Sequence, residues 1–131
     1  MIKRGIHEER TRIVLYLPYN SPGEAAAYND FITYLQGRKL GASNQQGQIS
    51  GFTQSRNMPA SFEGWWWSDT SQSWIHDKLV LVIIDHEFPI TDPRLHTEVD
   101  DLKQTLGQFY SQNGSPQEEI WVVSLPVWRY D

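Results

Sequence analysis

Gly64-Trp65-Trp66-Trp67-Ser68-Asp69, followed after a short polar interval by Lys78-Leu79-Val80-Leu81-Val82-Ile83-Ile84-Asp85-His86-Glu87-Phe88, is the stretch whose reading decides the fold. It joins the densest aromatic cluster to the longest apolar run, and the run ends in three ionisable side chains. Two β-prone segments, Phe62 to Trp67 and Trp74 to about Asp85, flank the polar residues Ser68 to Ser73, which is the pattern of a hairpin with a longer loop. The second arm is the longest strand expected in the chain. It is apolar at every position from Leu79 to Ile84, which predicts burial on both faces or a central place in a sheet.

Upstream, Arg12-Ile13-Val14-Leu15-Tyr16-Leu17 is short, apolar and stopped by Pro18, a buried strand. Ser21 then offers a helix N-cap, Pro22 the first helical position and Glu24, three residues after the cap, the acid of a capping box. Ala27, Tyr28, Phe31, Tyr34 and Leu35 form a stripe, so a helix is predicted over 22–40, with Gly41 as its stop. Residues 1–11 are charged and unpatterned, a loosely ordered lead-in. Residues 42–60 are rich in Gly, Asn, Gln and Ser, with a weak strand at Ile49–Thr53 interrupted by Gly51.

Downstream, Pro89 closes the long strand and Asp92-Pro93 repeats the helix-start chemistry. Leu95, Val99, Leu102, Leu106 and Phe109 or Tyr110 make an amphipathic stripe that ends at Asn113-Gly114. Ile120 to Leu125 is a last strand, with Pro126 at its far end. The order is β-α-β-β-α-β, with the same Pro-x-x-cap-Pro layout at Pro18–Pro22 and Pro89–Pro93. This α+β pattern resembles the ferredoxin-like split β-α-β fold. The resemblance implies a four-stranded antiparallel sheet with two helices on one face and the two helix-leading strands at its centre.

At 131 residues the chain fits one domain, 1–131, of a size that supports a core without staples. It has no cysteine, which excludes disulfides and thiolate metal sites. The first ten residues lack the apolar segment of a secretory signal, and the longest apolar run, Leu79 to Ile84, is far short of the roughly 20 residues of a membrane span. A soluble, cytoplasmic protein without membrane contact is expected. A net charge of −5 and a pI near 5.3 give no field for nucleic acid, and the aromatics do not form the basic, Gly-punctuated signature of an RNA-recognition motif.

Two groups of residues could carry function. Trp65, Trp66, Trp67 and Trp74, with Phe62 beside them, read as core, as a dimer interface or as a ligand platform. Alternation along a strand puts Trp65 and Trp67 on one face and Trp66 on the other. The second group is Asp85-His86-Glu87 with His76 and Asp77. His76 and His86 are separated by about 33 Å of strand and cannot share an ion, and the plainer reading of Asp85-His86-Glu87 is a strand emerging into solvent. No phosphate loop, nucleophile elbow or metal motif is present, and no metal or cofactor is expected. The expected function is a non-catalytic module, a homodimer through its aromatic sheet face, with room for a small apolar ligand. The alternative is a small enzyme of the dimeric α+β barrel kind, with His86 or His76 as acid/base on an apolar or aromatic substrate.

Overall fold

The computed structural model describes residues 7–38, 49–55 and 62–130. Its elements are β1 (His7–Pro18), α1 (Pro22–Gly37), β2 (Ile49–Gln54), β3 (Phe62–Ser68), β4 (Ser73–His86), α2 (Pro93–Gln112) and β5 (Trp121–Tyr130). They form an α+β arrangement of two helices and one antiparallel sheet of five strands, not the four expected. The order is β2-β4-β1-β5, and β3 also pairs with β4.

The fifth strand arises because one edge is built in two pieces. β4 is 14 residues long; its last part pairs with β2 (Gln54↔Val82 to Ile49↔His86) and its first part with β3 (Ser68↔Ser73 to Phe62↔Leu79). Leu79 is also opposite Pro18 of β1, so β2 and β3 follow one another along the same edge of β4. The register slips between Ile49 and Gly51. Gly51 therefore sits at a bulge, where a missing side chain is tolerated and pairing continues.

Three boundaries differ from expectation. Residues 7–11 belong to β1: they pair with β5 from His7↔Tyr130 to Thr11↔Pro126, and 7–10 run beyond the end of β4 as a two-stranded ribbon with the Arg10–Glu8 ion pair along it. Glu8, Glu9 and Arg10, which read as part of a charged lead-in, are half-buried residues of this ribbon. β5 runs through Pro126 to Tyr130. The hydrogen-bond alternation explains how. Tyr19 N–H donates to Lys78 O at 2.8 Å, so odd-numbered β1 residues bond toward β4 and even-numbered ones toward β5. Thr11 and Pro126 thus face each other as a non-hydrogen-bonded pair, and the proline nitrogen points to the outer edge, where no donor is needed. Finally, α1 stops at Gly37 because Arg38 turns to extended backbone (φ −73°, ψ 121°).

The helix starts behave as their residues dictate. Ser21 Oγ accepts from Glu24 N–H at 3.2 Å, and Glu24 Oε1 accepts from Asn20 N–H at 2.6 Å, a capping box displaced one residue toward the N-terminus. Asp92 Oδ1 accepts from Arg94 N–H at 2.9 Å. α2 ends on Gly114 at φ +73°, a conformation glycine adopts freely.

Both helices cover the same face of the sheet. Ile13, Leu15 and Leu17 of β1 and Val80, Val82 and Ile84 of β4 meet Tyr28, Phe31, Leu95, Leu102, Leu106 and Tyr110, all buried. Tyr110 donates its hydroxyl to Pro18 O at 2.8 Å, tying the C-terminal half of α2 to the end of β1. Burial pushes that hydroxyl's pKa up, so it remains a donor.

The helix pair leaves no room at its tightest point. A Cβ on Gly23 would lie 2.5 Å from Ser115 Oγ and 2.7 Å from the Asn113 carbonyl. Gly23→Ala is expected to destabilise the protein by about 1–3 kcal/mol, whereas Gly37→Ala, whose Cβ meets nothing within 4 Å, costs less; urea denaturation of the two variants checks the contrast.

Candidate functional site

The sheet presents two unlike surfaces. On the side away from the helices lie Val14 and Tyr16 of β1, Leu79, Leu81 and Ile83 of β4, and Trp121, Val123 and Leu125 of β5, as the register requires. The β4 members are half-buried, and Trp121, Val123 and Leu125 are 48, 46 and 38% exposed. No described element packs over this open face. Arg12 and Asp85 close one end of it, joined at 3.0 Å between Nε and Oδ1.

Trp66 and Asp77 stand at the other end. Trp66 Nε1–H donates to Asp77 Oδ2 at 2.6 Å, and Asp77 Oδ1 accepts from Asn20 Nδ2 at 3.0 Å. Asn20 Nδ2 also donates to Glu24 Oε1, and Glu24 Oε2 accepts from Gln117 Nε2 at 2.9 Å. One polar chain thus runs from the Trp66 indole to the first turn of α1. Tyr16, Gly64, Trp66, Leu79 and Trp121 surround a hollow of about 30 Å³, enough for a water and not for a ligand.

The remaining tryptophans of the cluster point to the opposite side. Trp65 is paired with His76 and Trp67 with Trp74, on a stretch of β4 beyond the end of β1. Trp65, Trp67 and Trp74 are 60, 44 and 63% exposed, so none is core. The expected alternation holds, and it divides the cluster between two surfaces. Phe62 pairs through its backbone with Leu79, and its side chain lies outside the described residues. Of the polar segment 42–60, residues 49–54 form β2, where a weak strand was expected, and extend the edge, while 42–48 and 56–60 lie outside the described residues.

His86 is not at a solvated strand end. It is fully buried on the helix side with Glu98 of α2. Its Nδ1 accepts from Phe88 N–H at 3.2 Å, which leaves Nε2 to carry the proton toward Glu98 Oε2 at 3.1 Å. Arg38 grips the same carboxylate with both terminal nitrogens, at 2.8 and 2.7 Å. Burial pushes the Glu98 carboxyl up, but the hydrogen bonds from His86 and Arg38 and the Arg38 charge outweigh it and hold its pKa below the ordinary value. This lock joins the end of α1, the first half of α2 and the end of β4. Both ring nitrogens of His86 are engaged within this buried lock. His76 lies beside Trp65, on the side away from the open face, so neither named histidine reaches that face.

The lock escaped the sequence reading although a signal was present. Leu95, Glu98, Val99 and Leu102 occupy the i, i+3, i+4, i+7 positions of one helix face, so a carboxylate sits within the apolar stripe of α2. The open face also had a signal, because β1 and β5 carry apolar residues at both parities.

Among the described residues, no group of three His, Cys, Asp or Glu side chains is arranged to hold a metal ion, and no helix is long and apolar enough to cross a membrane. The chain matches no known family model and no curated protein sequence.

Glu98→Gln removes the carboxylate charge that Arg38 and His86 share in this buried cluster, and is expected to cost about 3–5 kcal/mol at neutral pH. Because the folded carboxyl titrates below its ordinary 4.5, the wild-type lock stabilises above about pH 4.5 and its contribution is lost as pH falls below that. Urea denaturation between pH 7 and pH 3 checks this: the wild type should lose stability over the acid range more steeply than the variant.

Proposed function

We propose that this chain is a non-catalytic self-associating module that pairs with a second copy through the open face of its sheet. The observation that carries this reading is the composition of that face. An antiparallel sheet with one solvated side normally alternates apolar with polar residues. Here Val14, Tyr16, Leu81, Ile83, Val123 and Leu125 keep the outward side apolar, with Trp121 at the margin. Contiguous apolar surface of this kind, rimmed by the Arg12–Asp85 pair at one end and Asp77 at the other, is the pattern of an interface core with a polar border. A second copy is the occupant proposed, since a two-fold axis sets the same apolar patch of both copies against each other.

The strand order supports a ferredoxin-like reading of the fold. If β2 and β3 are counted as one interrupted edge strand, the sequence β1-α1-β2/β3-β4-α2-β5 with order β2/β3-β4-β1-β5 has that topology. Sheet-to-sheet dimerisation is compatible with it because both helices lie on the other face. The catalytic alternative draws no support from His76 or His86, which lie away from the open face, and a cytoplasmic setting rests on the absence of cysteine alone.

Light scattering after size exclusion at about 10–100 µM should give twice the chain mass. Val123→Asp should give the monomer, and its melting temperature should no longer rise with protein concentration. A wild type that stays monomeric throughout this range overturns the reading.

A further inference from the structure

The Trp65–Trp67–Trp74 side of the β3–β4 ribbon is separate from the open face, and its residues are held in a defined arrangement. Trp65 stacks on His76 with centroids 4.4 Å apart and planes 15° apart, so the imidazole covers one side of the indole and leaves the other free. Trp67 and Trp74 meet edge to face at 5.6 Å and 79°. Between Trp65 and Trp74 lies an open, apolar recess of about 310 Å³, at the small end of the ~300–1,000 Å³ range of ligand sites. Rings braced by aromatic neighbours lose little side-chain freedom when a ligand lands on them.

Size and charge narrow the occupant. Taking up to ~250 Å² per indole, the exposed fractions of the three tryptophans amount to about 400 Å². That is half of the roughly 800 Å² per partner that a stable protein interface needs, so a folded partner or a second copy is a poor fit. A polyanion finds no basic field on a chain of net charge −5. A quaternary ammonium ion would need aromatic walls on several sides, whereas this ribbon is open, and Lys78 follows on the same side of β4. What suits a flat indole platform is a neutral ring with a face of polarised C–H bonds and hydroxyls at its rim.

We propose that Trp65 and Trp74, supported by His76 and Trp67, form a binding platform for the pyranose ring of a neutral saccharide. Each ring stacks on an exposed indole. The proposal does not depend on self-association.

The six tryptophan indole N–H signals in a two-dimensional NMR spectrum of the full chain report the site directly. Titration with cellotetraose, maltotetraose and chitotetraose, each to about 10 mM, should shift Trp65, Trp67 and Trp74 with at least one sugar, and leave Trp66 and Trp121 in place. Trp65→Ala and Trp74→Ala should each weaken that binding by about tenfold or more, while Trp121→Ala, which removes an exposed indole from the other face, should bind as the wild type does. Because the substituted rings are exposed, an unchanged backbone spectrum separates loss of binding from loss of fold. No shift with any of the three sugars overturns the proposal, as do shifts centred on Trp66 or Trp121. A response to tetramethylammonium or AMP without a response to the sugars also overturns it, and reassigns the platform to a cation or a nucleotide.

Discussion

An antiparallel strand sends successive side chains to opposite faces, and β4 is apolar at every position from Leu79 to Ile84. That constraint governs the rest of the molecule. Two helices can seal only one parity, and they seal Val80, Val82 and Ile84 completely or nearly so. The other parity is left half-buried beside Val14, Tyr16 and Val123, and no rotation of the helices could cover both. The core and the exposed apolar face are thus two outcomes of one run of sequence.

Polar groups fix how the layers meet. Hydrophobic burial alone would let α2 slide along the sheet, because Leu-rich contacts are tolerant of small displacements. The Glu98 carboxylate, held by Arg38 and His86, and the Tyr110 hydroxyl on the Pro18 carbonyl act near the two ends of α2. At the other end of α1, Asn20 and Glu24 connect the first helical turn to Asp77 and hence to Trp66. A buried charge cluster is at best a modest source of net stability, but breaking it is costly, and in this position it specifies register.

Much of the fold was legible in the sequence because it is encoded locally. Ser21-Pro22 and Asp92-Pro93 mark both helix starts within a residue, the stripes of α1 and α2 follow the 3.6 period, and the hairpin at 68–73 closes as Ser68↔Ser73. The parts that were not legible depend on partners distant in sequence. Residues 7–11 look like a tail until β5 is placed beside them, and Pro126 looks like a stop until its nitrogen is seen to face outward. His86 looked like a solvated strand end because Glu98 and Arg38, which bury and bond it, are 12 residues ahead and 48 behind. The tryptophan cluster was recognised as a unit, and only the three-dimensional register divides it between Trp66, bonded at the rim of one face, and Trp65, Trp67 and Trp74 on the other.

Pro126 has a further consequence. β5 is an outer strand of ten residues, long enough to recruit a foreign strand along its free side. At its midpoint the outward-facing donor is replaced by a pyrrolidine ring, so the free ladder is broken into two short halves, neither of which offers an uninterrupted template. Growth by lateral strand addition, the route to fibrils, is obstructed on this side. A chain that displays so much apolar surface on a face is thereby guarded along this edge, which favours assemblies of closed, finite size over open ones.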